Sequence, residues 1–321
     1  MESDLTIEPL PFIGTLKNGS TVESLRSNEV VPASLDLRNN VVSKDVVYSP
    51  ELNLSVRLFL PHKKSTELAA GEKLPLLIYF HGGAYIMGSP FSPVSHNYLT
   101  EVVKASNCLA VSVQYRLAPE HPIPAAYEDS WSAIQWIFTH SDGFGEDAWI
   151  NEHADFDRAF LAGDSAGANI CHHMAIRAGE EKLNPRFKGV AMVHPGFWGK
   201  DPIDEKDVQD DGIRSGIAEV WETLASPNSV DGVNDPWLNV VGSGSDISGL
   251  GCETVLLAVA GKDVFGRQGL AYAEKLEKNG WRGDLKVVEE EDEGHCFHLR
   301  NPNSENASKL MKAFVEFIIH R

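Results

Sequence analysis

A five-residue turn, Gly163-Asp164-Ser165-Ala166-Gly167, constrains the fold of this chain more than any other stretch. An apolar run from Arg158 to Ala162 precedes the turn, and an alanine-rich segment of helical composition follows it. A G-x-S-x-G sequence between a strand and a helix is typical of a sharp, strained turn that exposes the serine hydroxyl above a sheet. A side chain at position 163 or 167 would collide with the neighbouring strand or helix. The simpler alternative is an ordinary loop of glycine and serine, and the rest of the chain has to decide between the two.

The apolar pattern on both sides of this turn predicts a doubly wound α/β sheet. Continuous apolar runs at 74–80 and 109–115 are typical of central strands that are buried on both faces. Strands that alternate with amphipathic helices indicate a mainly parallel sheet. We predict eight strands, at 45–49, 54–60, 74–80, 109–115, 158–162, 189–194, 254–260 and 285–289, the first two forming a hairpin. Helices are predicted at 93–105, 127–138 and 266–279, after the turn, and over the apolar positions between Ala307 and Ile318.

Two segments lack this rhythm of strands and helices. Residues 1–40 are broken by prolines and glycines, and residues 196–250 are rich in Asp, Gly, Ser and Pro. The second segment is too long for a simple connection and indicates an insertion. We predict one domain over 1–321, with cap regions at about 1–40 and 196–250. Large apolar residues such as Phe12 would then cover the mouth of a pocket rather than face water.

Composition excludes several classes of partner. A net charge of −18 argues against nucleic acids and anionic membranes, which both require basic patches. No apolar run reaches membrane-spanning length, and the acidic N-terminus lacks a signal sequence, so we expect a cytoplasmic protein. The four cysteines, Cys108, Cys171, Cys252 and Cys296, have no C-x-x-C spacing and are expected to be reduced thiols. The histidines show no metal-ligand spacing, so no metal is expected, and His172-His173 is interpreted as exposed helix surface.

An acid and a base follow two later strands. Asp263 comes directly after 254–261 and His295 after 285–289, at strand ends where functional groups gather in open α/β sheets. The chain order Ser165, Asp263, His295 is that of an α/β-hydrolase triad. The alternative role for Asp263 is a helix N-cap. His298 is the rival base, although its apolar neighbours favour a place at the start of the next loop or helix.

The turn His81-Gly82-Gly83-Ala84 ends the first central strand. Glycines there allow a substrate to approach the main chain, so the N–H groups of Gly82 and Gly83 are expected to join that of Ala166 in binding an oxyanion. An ordinary glycine turn is the alternative when this motif is considered alone. His81 is expected to brace the loop. In the proline-rich loop that follows Tyr115, Arg116 and Glu120 are expected to pair.

Five motifs together resemble the plant carboxylesterase family, in the hormone-sensitive-lipase branch of the α/β-hydrolases. They are HGGAYIMGSPFSP at 81–93, YRLAPEHPIPAAYEDS at 115–130, GDSAGANI at 163–170, GKDVF at 261–265 and EGHCFHL at 293–299. With a similar stretch at 41–61, the resemblance covers nearly the whole chain. It implies a Ser165, Asp263 and His295 triad, an oxyanion motif at 81–83, a cap and no cofactor. One departure is Ala84, where the family commonly has a third glycine.

The residues expected to contact the substrate lie within or near these motifs and in the cap. They are Ala84, Tyr85, Phe197, Trp198, Trp221, Val264, Phe265 and Phe297.

The resemblance implies a serine carboxylesterase that hydrolyses small-molecule esters, as a monomer or weak homo-oligomer. Two related classes are alternatives. Gibberellin receptors share the scaffold but have lost the catalytic histidine, and 2-hydroxyisoflavanone dehydratases share the fold, some with threonine in place of the nucleophile. His295 argues against a receptor, and Ser165 favours hydrolysis without excluding dehydration. No short motif identifies the natural ester.

Overall fold

The computed structural model describes residues 10, 21–36, 40–62, 73–208, 210–242 and 244–320. Within these residues, eight strands form one sheet: β1 (Val41–Ser49), β2 (Leu54–Pro61), β3 (Leu74–Phe80), β4 (Leu109–Val113), β5 (Ala154–Asp164), β6 (Phe187–Val193), β7 (Cys252–Ala260) and β8 (Asp284–Glu290). Their spatial order is β1-β2-β4-β3-β5-β6-β7-β8. Strand β2 pairs antiparallel with β1 and β4, and the other pairs are parallel. This confirms the predicted eight-stranded, mainly parallel sheet.

Helices cover both faces of the sheet. In chain order they are α1 (Val22–Leu25), α2 (Pro93–Ser106), α3 (Ala125–Phe138), α4 (Ala148–His153), α5 (Ala166–Glu180), α6 (Asp211–Glu219), α7 (Gly266–Lys278), α8 (Phe297–Arg300) and α9 (Glu305–Ile319). Helices α2 and α9 pack their apolar side chains on one face, and α3, α5 and α7 pack theirs on the other. The side chains of β3 alternate between the two cores, so that Ile78 packs with α3 and α5 while Leu77 packs with α2 and α9.

The centre of the sheet and its β8 edge differ in burial. Every residue of β3, at the centre, is buried, as its continuous apolar sequence predicts. Strand β8 lies at the edge and pairs only with β7, and its residues are exposed or half-buried throughout. The loops that leave the carboxyl ends of β5, β7 and β8 carry the three residues predicted to form the triad.

The segment 196–250 is partly helical. Helix α6 begins after Asp210, whose side chain accepts a hydrogen bond from the Ile213 N–H at 2.8 Å, and it runs directly into a π-helical turn at Val220–Ala225. A short 3₁₀ helix follows at Gly232–Asn234. Much of the predicted N-terminal cap region, including Phe12, lies outside the described residues, but Leu10 is buried against the core.

Arg26 ties the N-terminal segment to two loops of the domain. Its guanidinium donates to the carbonyls of Ile86 and Ala118, at 2.7 and 2.6 Å, and forms a bidentate ion pair with Glu120. The predicted pair of Arg116 and Glu120 is therefore wrong.

Arg116 instead binds the buried carboxylate of Asp129 on α3, with its side-chain N–H groups and with its backbone N–H. A buried aspartate without a partner costs much free energy, whereas an exposed ion pair contributes little. Pairing Arg116 with Asp129 therefore stabilises the fold more than an exposed pair with Glu120 would. The loop after Tyr115 is thereby fastened to α3.

No helix in the described ranges is long and apolar enough to cross a membrane. Cys108, Cys171, Cys252 and Cys296 are free thiols.

Candidate active site

Ser165 occupies a strained turn between β5 and α5. Its φ of 54° and ψ of −118° place it outside the regions that non-glycine residues normally adopt. Hydrogen bonds hold this conformation: the Ser165 N–H donates to the Val193 carbonyl at 2.9 Å, and the Gly196 N–H donates to the Ser165 carbonyl at 3.0 Å. The serine hydroxyl is therefore presented at the N-terminal end of α5, where the helix dipole favours negative charge.

The glycines on both sides of Ser165 allow the close packing around the turn. A Cβ atom at Gly163 would lie 2.5 Å from the backbone of Gly167, and one at Gly167 would overlap the carbonyl oxygen of Phe80 at the end of β3. Both obstacles are main-chain atoms, which cannot move aside as a flexible side chain can. The collisions predicted from the sequence are confirmed.

Gly167→Ala is expected to lower the free energy of unfolding by about 1–3 kcal/mol, the usual cost of inserting a methyl group into a full site. Alanine favours a helix over glycine by about 1 kcal/mol, so an opposite, stabilising change would be expected without the overlap. Urea denaturation measures the difference. Gly249→Ala is the control, because a Cβ there has no atom within 4 Å. Equal stability of the two variants would contradict the packing argument.

Ser165, His295 and Asp263 form a continuous hydrogen-bonded chain. His295 Nε2 lies 2.8 Å from Ser165 Oγ, and His295 Nδ1 lies 2.8 Å from Asp263 Oδ2. The ionised carboxylate can only accept, so Nδ1 carries the proton and Nε2 is free to accept from the serine hydroxyl. The Asp263 side chain is 1% exposed and that of His295 14% exposed, so little water competes for the carboxylate.

Asp263 is not the N-cap of α7, the alternative that the sequence left open, because Phe265 occupies that position and the helix has no side-chain cap. Its Oδ1 accepts a hydrogen bond from the Phe265 N–H at 3.0 Å, just before α7 begins at Gly266. One carboxylate oxygen thus orders the turn, and the other holds the imidazole of His295.

A second histidine, His194, holds the loop that carries His295 by a hydrogen bond. Cys296 has a left-handed φ of 50°, and its N–H donates to His194 Nδ1 at 3.0 Å. His194 is buried, so this bond is protected from water.

The rival base, His298, lies in a different environment from that of His295. It is buried in α8, and its ring meets that of Tyr98 edge-on with 5.3 Å between centroids. Burial lowers the pKa of His298 to about 3, so it is neutral at physiological pH. The structure brings His295, and not His298, into hydrogen-bond contact with Ser165.

In the loop after β3, the backbone N–H of Gly82 points towards a buried carboxylate. The Gly82 N–H donates to Asp164 Oδ1 at 3.2 Å, and the Tyr79 hydroxyl donates to the same oxygen at 2.5 Å. Burial raises the pKa of Asp164, and the bonds from Tyr79 and Gly82 oppose that shift. The expectation that Gly82 is a free oxyanion donor therefore has to be corrected, because its N–H already has an acceptor.

The next three residues, Gly83, Ala84 and Tyr85, all have positive φ, of 120°, 52° and 64°. A Cβ at Gly83 would overlap the Met87 carbonyl, so glycine is required there. Ala84, which replaces the glycine common in the family, adopts the same left-handed region at a cost of about 1–2 kcal/mol. The substitution thus leaves the loop in a conformation typical of glycine.

His81 braces this loop, as expected. Its ring stacks on that of Tyr115 with 4.3 Å between centroids, its Nδ1 lies 2.8 Å from the Gly82 carbonyl, and the Tyr115 hydroxyl donates to the His81 carbonyl at 2.7 Å. Burial lowers the pKa of His81 to about 4, so the side chain is neutral.

A largely apolar pocket opens beside Ser165. Its described lining consists of Leu10, Ala84, Tyr85, Ser165, Ala166, Gly196, Ile217, Val220, Trp221, Ala225, Leu238 and Phe265. Of the residues expected to contact substrate, Ala84, Tyr85, Trp221 and Phe265 are among these.

The other four predicted contacts are not among the described lining residues and are buried in the core. Phe197 packs between His172 and Tyr272, and Trp198 lies against Phe265 and beneath the Arg214 guanidinium. Val264 is fully buried, and Phe297 packs on His194.

The sequence did not identify several wall residues, including Leu10, Ile217, Val220 and Leu238. They lie in segments with irregular apolar spacing, where no period distinguishes a pocket residue from a core residue. Ala225 and Gly196 are small and carried no signal of their own. The predicted cap regions, 1–40 and 196–250, are the indication that the sequence offers for these residues.

His172 is buried and His173 is half-buried, so neither belongs to the exposed helix surface that was expected. His172 Nδ1 lies 2.9 Å from the Tyr272 hydroxyl, and His173 Nε2 lies 3.0 Å from the Trp237 carbonyl. Burial holds the pKa of His172 well below its usual value and lowers that of His173 to about 4. The segment 196–250 covers this side of α5, which a local pattern could not reveal.

Among the described residues, no group of three or more His, Cys, Asp or Glu side chains could hold a metal ion.

Comparisons with known proteins agree with this fold. A family model described as the α/β hydrolase fold matches residues 77–299. "Probable carboxylesterase 3" of Arabidopsis thaliana is 71% identical over 99% of this chain and 100% of that protein. "Probable carboxylesterase 4, mitochondrial" of the same plant is 70% identical over 98% of this chain and 84% of that protein. A Pyrobaculum calidifontis esterase superposes with a TM-score of 0.72 at 21% identity, covering 98% of this chain and 99% of the other.

The fold is that of an α/β hydrolase. Within that class, the chain belongs to the plant carboxylesterase family.

Proposed function

We propose that this protein is a serine carboxylesterase that hydrolyses small-molecule carboxylic esters through Ser165, His295 and Asp263. One observation carries the proposal: an unbroken chain of two 2.8 Å hydrogen bonds links the three side chains beside an apolar pocket. A nucleophile, a base and a carboxylate in this order are the components of acyl transfer through a covalent intermediate.

The mechanism follows from the hydrogen-bond directions. Ser165 Oγ attacks the ester carbonyl while His295 Nε2 takes the hydroxyl proton. Asp263 holds the imidazole in the correct tautomer and stabilises the imidazolium that forms. His295 then protonates the leaving alcohol, and the acyl group remains on Ser165. A water molecule, deprotonated by the same histidine, releases the acid and restores the serine.

The tetrahedral oxyanion requires backbone donors, and we assign them to the N–H groups of Gly83, Ala84 and Ala166. Ala84 and Ala166 line the pocket with Ser165, whereas the Gly82 N–H is already bound to Asp164. Each donor of this kind typically contributes about 10²–10³-fold to kcat. The role of Asp164 is then to hold the start of the loop in place.

The segment 196–250, with Leu10, serves as a cap that determines which esters enter. It supplies Gly196, Ile217, Val220, Trp221, Ala225 and Leu238 to the wall, while all three triad residues come from loops of the sheet. Chemistry and selectivity thus come from separate parts of the chain.

We also propose that the protein is cytoplasmic and that it is a monomer or a weak homo-oligomer. Free thiols support a reducing compartment, and the most exposed apolar side chains, Phe144 and Val230, come from separate segments. Because one relative is named as mitochondrial, a fluorescent fusion of the natural chain should be compared with markers of both compartments. Light scattering over a range of protein concentrations gives the assembly state.

Treatment with a small organophosphate is expected to label Ser165 and abolish ester hydrolysis in parallel. The reason is that only a serine with an adjacent base is nucleophilic enough to be phosphorylated at neutral pH. Mass spectrometry of peptides locates the adduct. A titration with gibberellin and an assay with a 2-hydroxyisoflavanone test the two alternatives. Labelling elsewhere, or an absence of hydrolysis combined with hormone binding or dehydration, would refute the esterase assignment.

A further inference from the structure

The pocket beside Ser165 contains one polar group that no described residue satisfies. The indole N–H of Trp221 is buried and has no hydrogen-bond acceptor among the described residues, and Trp221 is one of the residues that line the pocket. The other polar side chains of the wall are engaged. The Tyr85 hydroxyl lies 2.9 Å from that of Tyr127, and Ser165 Oγ belongs to the triad.

A buried donor without an acceptor is unusual, because nearly all buried polar groups in proteins are paired. Leaving one unpaired costs the desolvation free energy of the N–H group, and no hydrogen bond in the folded protein offsets that cost. A donor at the wall of a ligand pocket has a natural explanation, since a bound molecule can supply the missing acceptor.

The backbone around Trp221 is also irregular. Helix α6 changes to a π-helical turn at Val220–Ala225, closed by a 2.7 Å bond from the Ser226 N–H to the Trp221 carbonyl. Turns of this type are rare and occur frequently at functional sites. The turn brings Val220, Trp221 and Ala225 to one wall of the pocket. The Trp221 ring also meets that of Tyr85 edge-on, with 5.9 Å between centroids, so the two walls touch near the oxyanion loop.

We propose that the Trp221 N–H is the polar anchor of the substrate pocket. The preferred substrates are uncharged esters with a mainly apolar acyl part that carries one oxygen acceptor, such as a keto or ether oxygen, bound by this N–H. The inference rests on the proposed ester hydrolysis and assigns its substrate class.

The rest of the lining determines what is excluded. None of the described lining residues has a charged side chain, so a carboxylate or ammonium group in the pocket would be desolvated without a partner. A sugar would leave most of its hydroxyls unpaired for the same reason. A substrate with one oxygen acceptor matches the single donor of the pocket. Each additional polar group on the substrate would be buried without a partner and would lower kcat/KM.

The test compares keto esters with alkyl esters of equal chain length. The substrates are p-nitrophenyl 4-oxopentanoate, 5-oxohexanoate and 6-oxoheptanoate against the pentanoate, hexanoate and heptanoate. In the natural protein, at least one keto ester should exceed its alkyl partner in kcat/KM after correction for the rates of alkaline hydrolysis. Trp221→Phe keeps an aromatic ring but removes the N–H. It should lower that keto-to-alkyl ratio about 5- to 10-fold, the effect of one net hydrogen bond, while alkyl esters change much less.

Trp131→Phe is the matched control. Trp131 also has a buried N–H without an acceptor, but it lies on α3 beneath the Arg177 guanidinium and does not line the pocket. Its replacement should leave the keto-to-alkyl ratio unchanged.

An unchanged ratio in Trp221→Phe, or an equal loss on both ester series, would overturn the proposal while leaving ester hydrolysis intact. If Trp221→Phe does not fold, the natural protein still provides the test, because no preference for any keto ester would overturn the proposal as well. A failure of the esterase assignment is different, since no ester of either series would then be hydrolysed and Ser165 would not be labelled.

Discussion

Ser165→Ala is expected to lower kcat for p-nitrophenyl esters by about 10⁴–10⁶-fold, with the fold unchanged. The reason is that the hydroxyl forms the covalent bond, while its loss removes only one hydrogen bond from a turn held by backbone contacts. What remains is the contribution of the oxyanion donors and of substrate binding. Steady-state kinetics with purified protein, together with a thermal denaturation curve, measure both quantities.

Labelling gives an independent check on this variant. Ser165→Ala should no longer react with an organophosphate, whereas Ser308→Ala, which alters an exposed hydroxyl that donates to the Ser304 carbonyl, should react like the natural protein. Retention of more than about a tenth of the activity in Ser165→Ala, against the 10⁴–10⁶-fold loss expected, would mean that another group is the nucleophile.

His295→Ala is expected to lose activity to a similar extent, and His298→Ala is expected to keep most of it. Only His295 lies within hydrogen-bond distance of both Ser165 and Asp263, while His298 packs on Tyr98. With a pKa of about 3, His298 does not change charge over the working pH range and contributes packing alone.

The two histidine variants should also differ in stability. His298→Ala removes a buried ring and should unfold at lower denaturant concentration, whereas His295→Ala, which removes a partly exposed ring, should unfold close to the natural protein. Comparison of kcat with the urea midpoint for each variant separates the roles. If His298→Ala were inactive and His295→Ala active, the base would have been assigned wrongly.

The strands and the triad could be predicted because their signals are local. Strand β3 was predicted at 74–80 and lies at Leu74–Phe80, since a strand buried on both faces is a continuous apolar run. The turn at Ser165 requires glycine at fixed positions and therefore leaves a short motif. Asp263 and His295 could be found because parallel strands deliver their carboxyl ends to one edge.

Contacts between distant segments could not be predicted in the same way. Glu120 pairs with Arg26, 94 residues away, and no spacing along the chain indicates such a partner. The direction of the Gly82 N–H depends on three consecutive positive φ values and on the buried Asp164 carboxylate, which a motif does not reveal. In the local sequence His172 resembles a surface residue, but in the folded protein the segment 196–250 packs over it. The residues of the pocket wall could not be predicted either, because the three-dimensional fold brings them together and no local sequence pattern marks them.

The place of β8 at the rim of the sheet has a consequence for denaturation experiments. This strand delivers His295, yet it pairs with one neighbour and has no fully buried residue. Edge elements open with a smaller free energy than central strands do. Release of β8 would separate base from nucleophile while the tryptophans of the interior remain packed. In a urea titration, enzymatic turnover should therefore be lost at a lower concentration than intrinsic fluorescence, and turnover would report the integrity of one edge and not of the whole fold.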